Sequence, residues 1–105
     1  MAERALVAHT LLLLRRPSDA PDLPQQELDA IQEAHLAHLD ALRVQGKLLA
    51  FGPFMDQPDG SLRGLCIVSV DLEEAREIAA QDPAVQAHRL VVDVMTWLTP
   101  PGDLP

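Results

Sequence analysis

The order in which two kinds of apolar pattern alternate along this chain admits few folds. The first segment, "ALVAHTLLLL", Ala5 to Leu14, is apolar nearly throughout, as a strand buried on both faces would be. It ends at Arg15 and Arg16, and Pro17, Pro21 and Pro24 make residues 17–24 a loop, because proline removes a backbone donor and fixes φ. Gln25 to Gln45 carries helical spacing and stops at Gly46, the residue type that best closes a helix. A second strand, "KLLAFGPF", follows. The stretch "DQPDGS", with Pro58 and the Asp59-Gly60 pair, turns it into a third, "LRGLCIVSV", so a hairpin is expected. Asp71 stands where it can cap a short second helix, "LEEAREIAAQ", with Glu73 and Glu74 favourably placed in its first turn. Asp82-Pro83 closes or kinks that helix. The last strand is "RLVVDVMTWL", and the tail 99–105 is too rich in proline to extend it.

The order βαββαβ predicts an α+β fold, the ferredoxin-like sandwich, in which two helices cover one face of a four-stranded antiparallel sheet. Without repeats or a linker, residues 1–105 are read as one domain. The first and last strands are apolar on both faces, so the uncovered side of the sheet would expose a larger apolar patch than a monomer usually tolerates. A homodimer packed sheet to sheet is the expected solution, with Trp97 on the shared surface. A charge at Val92 or Val94, if those positions turn outward, should disrupt it.

Charge then limits the partners. The net charge is −8, and no basic stripe offers counterions to a phosphate backbone, so neither nucleic acid nor an anionic membrane is an expected partner. The one cysteine, Cys66, sits in an apolar strand and cannot form an intrachain disulfide. With an N-terminus that reads as a strand and no signal peptide, it points to a cytoplasmic protein. No apolar run reaches the roughly 20 residues that span a bilayer.

Within the first helix one residue is out of place. At about 100° per residue, Leu28, Ile31, Leu39 and Leu42 all fall within roughly 40° of His35, which puts an imidazole in the middle of the buried stripe. His38 lies at the stripe's edge. A buried histidine can simply satisfy a backbone carbonyl, or it can be an acid-base group. The topology brings several polar residues to one end of the sheet: Arg15 and Arg16, the Gly52-Pro53 turn, Arg63, Asp82, and the pair His88-Arg89. Asp82 is the nearest carboxylate available to His35, although an aspartate before proline is also a common helix terminator.

Other chemistries find less support. His35 and His38 share a helix face but lack further ligands, so no metal is expected. Cys66 reads as packing, and Gly52-Pro53 as a strand-end turn and not a phosphate-cradling loop, so no cofactor is expected.

At these residues the chain resembles the YCII-related proteins. The resemblance runs from "LLLLRRP" through "EAHLAHLDALRVQGKLLAFGPF" and "GLCIVSVDLEEAREIAAQDPAV" into the last strand, carried by the His-Leu-x-x-Leu helix, Gly-Lys-Leu-Leu before Gly-Pro, and a helix ending in Asp-Pro. It implies a dimeric α+β barrel similar to the muconolactone-isomerase type, with a histidine-aspartate pair in a cleft, here His35 and Asp82. One branch of that family eliminates chloride from a chlorinated hydroxyhydroquinone. The sequence departs from the family pattern at Gln32, where a basic residue is frequent, and at His38 and Ala84, where aromatics are frequent. Arg15, Arg63 or Arg89 could replace the missing cation. The function this implies is a lyase or isomerase that moves a proton on a small cyclic or aromatic ligand, with His35 and Asp82 catalytic and Arg15, His38, Gly52, Pro53, Arg63 and His88 binding. The alternative is a non-catalytic ligand-binding or dimerisation module.

Overall fold

The computed structural model describes residues 5–104; residues 1–4 and 105 lie outside the described residues. The elements are β1 (Val7–Arg15), α1 (Gln25–Val44), β2 (Leu48–Pro53), β3 (Leu62–Val68), α2 (Leu72–Gln81), α3 (Pro83–Gln86) and β4 (Val91–Thr99). The sheet order is β2-β3-β1-β4 with every pair antiparallel, the ferredoxin-like arrangement.

Local chemistry explains the element ends. At the end of α1, Gly46 takes φ 75°, its amide bonds the Arg43 carbonyl, and Lys47 N reaches the Leu42 carbonyl at 2.9 Å. These two bonds form the Schellman closure that glycine makes inexpensive. The Asp71 carboxylate accepts from Glu74 N at 2.8 Å and starts α2. The short helix α3 is an addition to the expected order. Four residues with proline first carry no apolar period to reveal it.

The helices lie on one face of the sheet, α1 against β2, and α2 against β4 and β1. Leu12 and Leu14 of β1, Cys66 and Val68 of β3, and Leu48 of β2 meet Leu39, Leu42, Ala75 and Ile78 from the helices, all buried. Strand alternation sends Leu11, Leu13 and Arg15 to the opposite face. Register puts Leu65 and Ile67 of β3 and Asp93, Met95 and Trp97 of β4 beside them. Val92 and Val94 belong to the helix side, where they pack against the core. The expectation that a charge at either would probe the uncovered face is therefore corrected by one residue: that face already carries Asp93, paired with Arg15 at 2.8 Å. Among the described residues, no helix is long and apolar enough to cross a membrane.

Candidate active site

His35 is buried because α1 turns it inward with Leu39 and Leu42, toward the junction between α2 and α3. Asp82 makes that junction. As the residue before proline it is driven out of the helical region, to φ −65° and ψ 124°, so it ends α2 and begins α3 at once. Its two carboxylate oxygens then serve different partners. Oδ1 accepts from Ala84 N at 2.9 Å and caps α3, while Oδ2 lies 2.6 Å from His35 Nδ1. Both residues are 4% exposed. A carboxylate only accepts, so Nδ1 carries the hydrogen of this contact, and Nε2 is the ring nitrogen that Asp82 does not engage. The Phe51 ring stands edge-on to the imidazole, with centroids 6.1 Å apart, and limits its tilt.

Above this pair opens a cleft of about 370 Å³ that His35 lines. Its apolar walls are Leu14, Leu28, Ile31, Phe51, Pro53, Ala84 and Leu90, and its polar lining includes Gln25, Asp29, Gln32 and three arginines, Arg16, Arg63 and Arg89. Burial holds the Arg16 guanidinium below its ordinary pKa, and the neighbouring charges of Arg89 and Arg63 add to the effect. Cys66, beneath the site, is pushed up to about 12 by burial and, secondarily, by the negative charge of Asp82. It is therefore a thiol and not a nucleophile at neutral pH.

Several residues proposed from sequence lie elsewhere. Arg15 points to the other face of the sheet and pairs with Asp93 there; its neighbour Arg16 takes the place in the cleft. His38 Nε2 lies 3.1 Å from the Ile78 carbonyl and ties α1 to α2. His88, at φ 58°, meets Asp19 at 2.8 Å and fastens the proline-rich loop, outside the cleft lining. Gly52 lies on the opposite side of β2 from the cleft, while Pro53 lines it. Arg63 reaches the cleft through a β-bulge: Leu14 pairs with Gly64 and Arg15 with Leu62, so Arg63 is the extra residue, re-aimed. Beside it, a Cβ on Gly64 would come within 3.0 Å of the Gly52 carbonyl oxygen, so glycine permits β2 and β3 to approach at the rim. Sequence reading missed Phe51, Leu28 and Gln25 as lining residues. Leu28 was legible as part of the apolar stripe, but nothing in the chain said that the stripe's upper half overhangs a cleft.

Fold and geometry together define a ferredoxin-like α+β protein with a buried histidine-aspartate pair beneath an open cleft. The chain belongs to the YCII-related family, whose domain matches residues 9–98. Among solved structures it is similar to the 5-chloro-2-hydroxyhydroquinone dehydrochlorinase TftG of Burkholderia phenoliruptrix AC1100, in complex with 2,5-dihydroxybenzoquinone. The TM-score is 0.63 at 20% identity, over 85% of this chain and 92% of that one. No curated protein matches the chain in sequence.

Proposed function

We propose that this protein is a cytoplasmic, homodimeric lyase or isomerase that moves a proton on a small cyclic or aromatic substrate, with His35 as general base or acid and Asp82 as the group that orients it. The observation that carries this is the 2.6 Å contact between Asp82 Oδ2 and His35 Nδ1 on the floor of a cleft, which leaves Nε2 for a substrate. A histidine held in one tautomer by a carboxylate is the usual arrangement for proton transfer, and such positioned groups supply about 10²–10⁴-fold in rate. The similar dehydrochlorinase supports a small ring as substrate class, since its structure holds 2,5-dihydroxybenzoquinone. The homodimer is supported by the bare sheet face, where Met95 and Trp97 are 39% and 43% exposed.

The cleft also supports a second reading, a ligand-binding module without turnover. Gln32 and Ala84, two of the positions that depart from the family pattern, both line the cleft, and they widen it and leave it less basic there. One experiment separates the two. Wild type, His35→Gln and Asp82→Asn are incubated with 5-chloro-2-hydroxyhydroquinone and with cyclic enolisable ketones in deuterated water, and chloride release and deuterium uptake are followed. Turnover lowered by about 10²-fold or more in both variants supports the enzyme. Turnover indifferent to either substitution removes the dyad mechanism, and ligand retention without any turnover leaves the binding module.

A further inference from the structure

Resting on the proton-transfer function assigned to the same cleft, we propose that its ligand is an organic anion, a compact ring acid whose carboxylate or ionised ring oxygen is held by Arg16, Arg63 and Arg89. The chain has only eight basic residues against sixteen acidic ones, yet three of the eight line this one cleft. Arg15 and Lys47, which lie elsewhere, are paired with Asp93 and Glu74. The cleft arginines differ: among the described residues none of the three makes an ion pair. Arg16 Nε donates to the Arg89 carbonyl at 3.1 Å, Arg89 Nη1 to the Pro21 carbonyl at 2.8 Å, and Arg63 Nη1 to the Gly60 carbonyl at 3.4 Å. Neutral carbonyls fix the positions of the groups and leave their charge uncompensated. The one carboxylate in the lining, Asp29, accepts from Gln25 Nε2 at 2.7 Å and cannot balance three guanidiniums.

Like charges gathered around a partly desolvated cleft repel one another, and an anion among them relieves that repulsion. Guanidinium forks match planar carboxylates and ring oxygens in pairs. The apolar walls of Leu28, Ile31, Phe51 and Leu90 suit the ring itself, which distinguishes an organic acid from a free inorganic ion. The cations thus bind one end of the ligand while His35 meets another.

The test uses benzoate as probe, with benzamide as its neutral counterpart and sulfate as an inorganic anion, followed by backbone amide NMR shifts of cleft residues in the full chain. Benzoate is expected to bind at least about tenfold more tightly than benzamide, with affinity falling as salt rises. Arg63→Gln is expected to weaken benzoate about tenfold, the loss of one charged hydrogen-bonding partner. Arg63 is exposed, and its 3.4 Å bond to Gly60 is its one side-chain hydrogen bond among the described residues, so the fold tolerates the change. Arg89→Lys, which keeps charge but loses the fork, gives an intermediate loss and serves as the second variant. Equal binding of benzoate and benzamide, no benzoate binding to wild type, or benzoate affinity unchanged in both variants overturns the proposal. Sulfate binding as tightly as benzoate overturns the organic part of it. His35→Gln keeps the arginines and is expected to retain benzoate binding while losing turnover. Arginine-dependent binding in a protein whose turnover ignores His35 therefore supports the anion site and removes the dyad alone; His35-dependent turnover with arginine-independent benzoate binding does the reverse.

Discussion

The molecule holds two histidine-aspartate pairs that look alike on paper. His35 and Asp82 meet at 2.6 Å, with side chains 5% and 6% exposed; His88 and Asp19 meet at 2.8 Å, with side chains 51% and 78% exposed. The first is enclosed by α1, the α2–α3 junction and Phe51, where neither partner can turn to water if the other is lost. The second tethers a loop at the surface, where water and salt replace a missing partner readily. Near-identical contact lengths therefore describe unlike interactions, and desolvation separates them. His88 holds Asp19's carboxyl below the usual carboxylate range by its hydrogen bond and its charge. That shift reports a neighbour and carries no weight as a stability argument.

Three perturbations separate the pairs, beginning with the largest. Cys66 senses the buried pair, because the Asp82 charge contributes to its raised pKa. An unfolded thiol ionises near 9.0, whereas the folded one stays protonated to about 12. Stability is therefore complete below pH 9 and declines as pH climbs through that window, by roughly 4 kcal/mol in all. Urea unfolding of wild type and Cys66→Ala at pH 8, 10 and 11 checks this: the alanine variant should lose less stability over the same range. Parallel curves would refute it.

Next, Asp82→Ala leaves the buried imidazole without its acceptor and uncaps α3. Together these should cost about 2–4 kcal/mol, read as a lower urea midpoint at pH 7. Asp82→Asn keeps an acceptor for Ala84 N and should cost about half as much. Equal losses in the two variants would mean that the contact to His35, and not the cap, dominates.

The smallest effect belongs to Asp19→Asn. The urea midpoint should stay within error of wild type, with any difference vanishing at 0.5 M added salt, about 4 Å of screening length. Local loosening of residues 17–24 should appear as faster amide exchange in the loop. A loss comparable to that of Asp82→Asn would erase the distinction between the two pairs.

How much of this was legible beforehand follows from the same physics. The strand and helix order was readable because period and turn chemistry agree, and α2 falls on the residues its cap and apolar spacing indicate, Leu72 to Gln81. His35 was readable because helical geometry assigns it to the stripe without knowledge of its neighbours. Strand facing was harder. β1 is apolar on both sides, so alternation alone could not say whether Arg15 or Arg16 entered the cleft, and one residue of parity reverses every assignment. The same ambiguity left open which way Val92 and Val94 turn, and both pack against the core. Arg63 depends on a bulge whose cause is pairing between strands, and a local sequence carries no sign of it. The surface role of His88 rests on a left-handed φ at the end of α3, a helix too short to announce itself.

Asp82 holds the imidazole with one oxygen and begins a helix with the other. Selection for folding alone would therefore keep this aspartate in place. A descendant that stopped turning over any substrate could still carry the pair intact for as long as it needed to fold. Among relatives, the state of the three arginines around the cleft is thus the better record of whether a ligand is still used, because no helix depends on their charge.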